Sequence, residues 1–135
     1  AREALTRISS PTLLIGVTVL TSMSEQDFVL AGFAGSLEQL VALVAKLSAG
    51  AGLDGVVCSA LEVGLIKKNC GEKFLTVTPG IRLEGDDHQD QSRVVTPQVA
   101  VAAGSDYLVM GRPITQAQDP ARRCFEIVQS LTSQS

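Results

Sequence analysis

The stretch LLIGVTVL, residues 13–20, decides the fold class of this chain. It is apolar almost throughout, whereas a strand with one face in water alternates apolar and polar residues. Strands of a parallel sheet are covered on both faces and show this continuous apolar pattern. Three further short runs share it: residues 55–59, 74–78 and 107–110. Each ends in, or is followed by, Gly, Pro or Ser, which are typical of the turn after a strand.

Helical patterns separate these runs. Ser36 is a suitable N-cap for residues 37–48, where Leu and Val recur at helical spacing. Thr96 and Asp119 each precede a proline, a combination favoured at the start of a helix. The sequence predicts a helix tail over residues 2–8 and helices over residues 37–48, 62–68, 97–103 and 121–131. This order, a helix and then strand–helix four times, predicts an α/β fold with a parallel sheet and right-handed crossovers.

Four βα units fit two architectures. They could form a small doubly wound domain, or half of an eight-stranded (β/α)8 TIM barrel. A half-barrel alone leaves two sheet edges and one apolar face uncovered. Periodicity leaves both architectures open. In either one, ligands bind at the carboxyl ends of the strands, so the loops that follow the strands hold the candidate functional residues.

Composition excludes several classes of protein. A chain of 135 residues that is 45% hydrophobic is long enough for about one folded domain and too apolar for intrinsic disorder. Its net charge of −3 argues against the basic surface that nucleic-acid-binding proteins use. The longest apolar stretch is shorter than a membrane span, and no secretory leader pattern opens the chain. We therefore expect a cytoplasmic protein without nucleic-acid or membrane partners, whose Cys58, Cys70 and Cys124 are reduced thiols.

The loop after the fourth strand carries the most informative signal. It reads GRPIT over residues 111–115, and a helix begins shortly afterwards at Asp119 and Pro120. Gly111 lets the backbone approach an anion, and the guanidinium of Arg112 can bind a phosphate through two hydrogen bonds. Loops after the last two strands of TIM barrels often bind phosphate in this way. The alternative is an arginine that pairs with a surface carboxylate.

The loop after the third strand begins with the turn Thr78-Pro79-Gly80, and Arg82 can reach inward from its lip. The polar segment over residues 83–93 has neither helical nor strand periodicity, which is typical of a lid or of a solvated surface loop. It contains Asp86, Asp87, His88 and Asp90, but the chain has a single histidine, so we expect no metal site.

Groups suited to catalysis are missing from the carboxyl ends of the strands. Asp54 and Asp106 precede strands, and Lys67, Lys68 and Lys73 surround helix–strand turns, so all five belong to the opposite edge of the sheet. Thr21 and Ser22 follow the first strand, where their hydroxyls either bind a planar ligand or cap the next segment.

Four segments together resemble the bacterial orotidine 5'-phosphate decarboxylases. In chain order they are LLIGVTVLTSM (13–23), GLDGVVCS (52–59), VTPGIR (77–82) and GRPIT (111–115), and DQSR (90–93) and TP (96–97) fit the same series. The resemblance implies that residues 1–135 are the carboxyl-terminal half of a single TIM-barrel domain, with the last four βα units. It also implies a homodimer that converts orotidine 5'-phosphate to uridine 5'-phosphate (UMP) in de novo pyrimidine synthesis, without cofactor or metal.

By motif, the resemblance also implies substrate-binding roles. Arg112 and Gln91 resemble the pair that grips the phosphate, with Gly111 beside them; Arg82 and Thr21 resemble further ligand-binding residues, and Ser22 and Pro79 are additional candidate contacts. The family's Asp–x–Lys–x–x–Asp segment is missing, so we assign no catalytic residue here and expect them in the amino-terminal half. A related sugar-phosphate decarboxylase or synthase barrel and a non-catalytic phosphate-binding half-barrel remain alternatives.

Overall fold

The computed structural model describes residues 1–83 and 94–132. In these ranges strands and helices follow one another as α1 (Arg2–Arg7), β1 (Ile15–Val17), α2 (Glu25–Leu30), α3 (Leu37–Gly50), β2 (Gly55–Val57), a 3-10 turn (Ala60–Glu62), α4 (Val63–Cys70), β3 (Leu75–Thr78), α5 (Pro97–Ala102), β4 (Tyr107–Leu108), α6 (Arg112–Thr115) and α7 (Pro120–Thr132). The predicted α/β class is confirmed. None of the helices in the two described ranges is long and apolar enough to cross a membrane.

The strands form one parallel sheet in the order β1-β2-β3-β4. Because each strand is added on the same side of the one before, right-handed crossovers place every connecting helix on the same face of the sheet. A doubly wound domain would instead reverse its strand order at a switch point. Within the described residues the order does not reverse, so the sheet is wound as in a TIM barrel.

The covered face of the sheet holds the main core. Val56 and Cys58, which point to this face, are fully buried between Val41 of α3 and Ile66 of α4. Each fully buried aliphatic side chain stabilises the fold by about 1.5–3 kcal/mol. Gly55 lets β2 and β3 approach closely, because a Cβ at this position would lie 2.3 Å from the carbonyl oxygen of Leu75.

The other face of the sheet is open. Val17, Val57, Val77 and Tyr107 are aligned across the four strands by their register. The outer two are largely exposed, Val17 at 54% and Tyr107 at 51%. Apolar side chains on strands normally lie against a second layer of structure. The apolar pattern of the strands predicts burial on both faces, but within the described residues helices cover only one.

All four strands are shorter than predicted, β1 and β4 by half or more, and two helices lie where the sequence predicts loops. The apolar run 13–20 forms only the three residues of β1, and the run 107–110 only the two of β4. Single hydrogen bonds continue the pairing, from Thr18 N to Val57 O (3.1 Å) and from Val109 N to Thr78 O (2.9 Å). The unpredicted helices α2 and α6 have six and four residues, too few to show a helical period.

Candidate ligand-binding edge of the sheet

All four strands run in the same direction, so the segments that follow them meet at one edge of the sheet. We call this the carboxyl edge; it comprises residues 18–23, 58–62, 79–82 and 109–115. The predicted site residues that the structure describes all lie in these segments: Thr21, Ser22, Pro79, Arg82, Gly111 and Arg112. Gln91 and most of the predicted lid, residues 83–93, lie outside the described residues.

The segment after β1 leads into α2 through a capping box. The hydroxyl of Ser24 accepts a hydrogen bond from Asp27 N (3.1 Å), and the Asp27 carboxylate accepts one from Ser24 N (2.9 Å). The Ser24 hydroxyl also donates to the Asp27 carboxylate (2.6 Å), and this bond, followed by the one from Ser24 N, lowers the pKa of Asp27. Since Ser24 is the N-cap, Thr21 and Ser22 are not needed to begin this helix. Thr21 is buried at the carboxyl edge and Ser22 is exposed.

The segment after β2 carries a buried carboxylate that the sequence analysis missed. Glu62 is 8% exposed, and its Oε2 accepts a hydrogen bond from Ser59 N (2.9 Å). The Ser59 hydroxyl in turn accepts one from Leu61 N (3.3 Å), which completes a second capping box. The signal was present in the sequence, because Ser-x-x-Glu before an apolar run is the pattern of a capping box.

The segment after β3 turns sharply and meets the chain again beyond residue 93. Gly80 has a φ of +77°, in the left-handed region that glycine tolerates best. Beyond it, Ile81 forms an isolated parallel bridge with Val95. Arg82 N donates to Val95 O (3.0 Å), and Val95 N donates to Gly80 O (3.4 Å). The stretch that leaves the sheet after Arg82 therefore returns to the same point of the carboxyl edge.

Arg82 lies inside this edge rather than on its rim. It is only 8% exposed, and its Nη1 donates to the carbonyl oxygen of Ile81 at 2.9 Å. The side chain of Ile81 packs with Ala60 and Ala100, which fixes the backbone beside the arginine. A buried guanidinium is costly unless it is hydrogen-bonded or faces an anion. This placement fits a ligand-binding arginine, and that role stays a prediction.

The segment after β4 forms the short helix α6. Gly111 is its N-cap, and its carbonyl oxygen accepts hydrogen bonds from Ile114 N (2.9 Å) and Thr115 N (3.0 Å). A Cβ at Gly111 would meet no atom within 4 Å, so the space beside this backbone is open to a ligand. Arg112 follows at the first helical position and is half-buried. The sequence predicts a loop here, and the structure has one helical turn instead.

The opposite edge holds the charged groups that the sequence analysis excluded from the site. Asp54, immediately before β2, pairs with Arg2, and Asp106, immediately before β4, pairs with Lys67. In residues 1–83 and 94–132 no three His, Cys, Asp or Glu side chains are grouped as metal ligands. Asp86, Asp87, His88 and Asp90 lie outside those ranges. Within the described ranges, Cys58, Cys70 and Cys124 form no disulfide.

The singly wound sheet is that of a (β/α)8 barrel, in which the loops after the last two strands often bind phosphate; here each of those two segments contains a glycine and an arginine. The model of the "Orotidine 5'-phosphate decarboxylase / HUMPS family" matches residues 1–127. The chain belongs to this family.

Relatives that bear the first of these names are similar over nearly the whole chain. The orotidine 5'-phosphate decarboxylase of Teredinibacter turnerae is 54% identical over 131 residues, which are 97% of this chain and 56% of the relative. That of Legionella pneumophila is 52% identical over 132 residues, 97% of this chain and 56% of the relative. The chain therefore spans about half the length of the curated relatives that it matches.

Solved structures give the same proportion. The crystal structure of orotidine 5'-phosphate decarboxylase from Lactobacillus acidophilus superposes with a TM-score of 0.74 at 37% identity, over 90% of this chain and 50% of the other. An uncharacterized conserved protein from Geobacillus kaustophilus superposes with a TM-score of 0.71 at 39% identity, over 88% and 48%. The fold prediction is confirmed: the chain has the α/β architecture of about half of a TIM barrel.

Proposed function

We propose that residues 1–135 are the carboxyl-terminal half of a single TIM-barrel domain that decarboxylates orotidine 5'-phosphate to UMP. The observation that carries this proposal is the match of nearly the whole chain to about half of each decarboxylase. The singly wound sheet supports it, because four more strands added in the same sense would close a barrel.

The open surfaces of the sheet are where the rest of the barrel would lie. Within the described residues, β1 and β4 each pair with one neighbour only, so each has an edge that a further strand could join. The exposed side chains of Val17 and Tyr107 face the interior of the closed barrel that we propose. Apolar side chains exposed on an open sheet favour aggregation, and closure of the barrel would bury them.

The carboxyl edge would bind the nucleotide and, above all, its phosphate. In this proposal Arg112 and Gln91 grip the phosphate and Gly111 offers it a backbone contact. Arg82 and Thr21 bind the rest of the ligand at the neighbouring strand ends, with Ser22 and Pro79 as further contacts. Arginine suits this role, because its planar guanidinium binds phosphate oxygens in pairs.

The division of labour between the halves has a physical rationale. Binding energy from a phosphate remote from the reacting carbon lowers the barrier when the contacts strengthen in the transition state. The chemical groups themselves would come from the amino-terminal half, since we assign no catalytic residue here. The working enzyme in this proposal is a cytoplasmic homodimer that needs no cofactor.

A sugar-phosphate decarboxylase or synthase is the second candidate. The family description joins two names, and a phosphate site at the carboxyl edge would serve either substrate class. Such a relative would share Gly111 and Arg112 but differ in the contacts to the base and in its use of metal. A magnesium requirement would therefore favour this candidate.

The proposal is tested with the complete polypeptide that carries this chain. We expect a mass near twice the 14.2 kDa of these residues. We also expect loss of the orotidine 5'-phosphate absorbance that is equally fast with and without EDTA. A folded protein that leaves this absorbance unchanged would rule out the decarboxylase. If EDTA abolishes turnover of a keto-sugar phosphate, the second candidate is correct. A monomeric 135-residue chain that unfolds cooperatively would instead indicate a non-catalytic binding module.

A further inference from the structure

The chain contains the same four-residue turn twice, AGLD at residues 51–54 and AGSD at residues 103–106. In each copy the glycine has a positive φ, +79° at Gly52 and +92° at Gly104. The hydrogen bonds are also the same. Each glycine N–H bonds the carbonyl oxygen three residues earlier, and the next N–H bonds the one five residues earlier, at 2.9–3.1 Å. Both copies end a helix and deliver an aspartate to the start of the next strand.

Each aspartate then ties its own strand to the preceding one. Asp54 lies opposite Leu14 and accepts its N–H at 2.7 Å, and Asp106 lies opposite Thr76 and accepts its N–H at 2.7 Å. Each also pairs with a cation. We call Asp54 with Leu14 and Arg2 the β1–β2 clamp, and Asp106 with Thr76 and Lys67 the β3–β4 clamp.

The two clamps contribute unequally to holding their two strands together. β1 and β2 have three residue pairs in register, and Thr18 adds bonds from both its N–H and its hydroxyl to Val57 O. β3 and β4 have only two residue pairs, continued by one hydrogen bond from Val109 N to Thr78 O. Since the ladder between β3 and β4 is shorter, a larger part of their attachment comes from the clamp.

Side chains replace the missing backbone bonds between β3 and β4. The Thr76 hydroxyl donates to the Asp106 carboxylate (2.9 Å), and Asp106 N donates back to this hydroxyl (3.3 Å). The Thr78 hydroxyl lies 3.1 Å from that of Ser105 and 3.2 Å from Tyr107 O. Both threonines are fully buried, where polar groups are strongly held because no water can replace their partners.

We propose that Asp106 is a positioning residue for the phosphate-binding segment Gly111–Arg112. Asp106 fixes the start of β4, β4 is two residues long, and Gly111 follows it after Val109 and Met110. Loosening this clamp therefore displaces β4 as a unit and moves the glycine and the arginine relative to Arg82 on β3. This inference rests on the proposed function for its ligand, although the displacement itself does not.

The matched pair of clamps supplies its own control. Asp106→Asn and Asp54→Asn remove the same charge from the same turn, in the complete polypeptide. Three quantities are measured: the urea midpoint, the affinity for UMP by calorimetry, and the hydrogen-exchange rates of two amides at the carboxyl edge. These are Val109, which donates to Thr78 of β3, and Cys58, which donates to Val77.

We expect both variants to lower the urea midpoint. Asp106→Asn should also weaken UMP binding by about tenfold and accelerate exchange at Val109, while Asp54→Asn leaves both nearly unchanged. Equal effects of the two variants on UMP affinity, or unchanged Val109 exchange in Asp106→Asn, would overturn the inference. If Asp106→Asn does not fold, Thr76→Val, which replaces the hydroxyl with a methyl group, should change the same quantities in the same direction.

A wild-type polypeptide that binds no UMP would contradict the proposed function and not this inference. Exchange at Val109 needs no ligand, so it still decides the positioning role. Acceleration at Val109 but not at Cys58 supports it, and equal acceleration at both amides overturns it.

Discussion

The ammonium group of Lys67 lies 2.7 Å from the Asp106 carboxylate and also donates to the carbonyl oxygens of Glu72 (2.9 Å) and Phe74 (3.0 Å). Lys67 is only 8% exposed, so three oxygens replace the water that its charge would otherwise bind. The lysine thus joins the end of α4, the start of β3 and the start of β4.

Lys67→Met should lower the free energy of unfolding by about 1–3 kcal/mol. It leaves the Asp106 carboxylate without its cation and two carbonyl oxygens without a donor; the partial exposure of Asp106 keeps the loss below that of a fully buried pair. Urea denaturation measures the change. The neighbouring Lys68→Met is the control, since Lys68 is exposed and should change stability by less than about 0.5 kcal/mol. Equal effects at the two lysines would show that the clamp does not stabilise the fold.

Stability should fall at acid pH because the two clamp aspartates, like Asp27, have pKa values below their ordinary range. Hydrogen bonds from Leu14 N and the Arg2 guanidinium lower the pKa of Asp54. Burial acts to raise the pKa of Asp106, but hydrogen bonds from Lys67 and Thr76 together outweigh it and lower the pKa. A carboxyl group with a lower pKa in the folded state stabilises the fold above its unfolded pKa, near 4, and loses that contribution as the pH falls further.

The urea midpoint should therefore be flat above about pH 5 and decline below about pH 4. In Asp54→Asn and in Asp106→Asn the decline should be shallower, because one titrating group has been removed. Midpoints measured from pH 3 to pH 7 check this. Curves for both variants that run parallel to wild type would contradict the account of these two pKa values.

If Arg112 grips the phosphate, Arg112→Ala should reduce kcat/KM for orotidine 5'-phosphate by an amount equivalent to roughly 2–4 kcal/mol of transition-state stabilisation. Arg123→Ala is the control; this arginine is exposed on α7 and should leave the kinetics unchanged. Steady-state kinetics on the complete polypeptide measure both. A value for Arg112→Ala within about twofold of wild type, or ~0.4 kcal/mol, would remove Arg112 from the phosphate site.

Gly80→Ala should destabilise the turn after β3 by about 1–2 kcal/mol, because an L-residue at φ +77° is strained. The bridge between Ile81 and Val95 directly follows this turn. The amide protons of Arg82 and Val95, which are bonded at the bridge, should therefore exchange faster in the variant than in the wild type. Gly64→Ala provides a contrast of opposite sign. Gly64 lies within α4, a Cβ there meets nothing within 4 Å, and the substitution should stabilise by about 0.5–1 kcal/mol. If both substitutions stabilise the protein, the left-handed turn is not under the strain described.

The sequence predicted which edge of the sheet carries the site, because parallel strands deliver all their following loops to one side. Arg82 and Gly111 were located by this rule alone. It could not predict that Arg82 is buried, which depends on how Ala60 and Ala100 pack around Ile81. Nor could it pair Lys67 with Asp106, since they are 39 residues apart and only the sheet order joins them. The sequence overestimates the lengths of β1 and β4. An apolar pattern shows which residues could lie in a strand, whereas the register between neighbouring strands decides which of them actually pair.

We propose that this chain supplies the phosphate-binding half of an orotidine 5'-phosphate decarboxylase. The most direct measurement uses a chimera of the Teredinibacter turnerae enzyme in which the matching 131 residues are replaced by those of this chain. We expect the chimera to decarboxylate orotidine 5'-phosphate without added metal and to lose this activity with Arg112→Ala. A chimera that unfolds cooperatively like the parent enzyme but produces no UMP would contradict the claim.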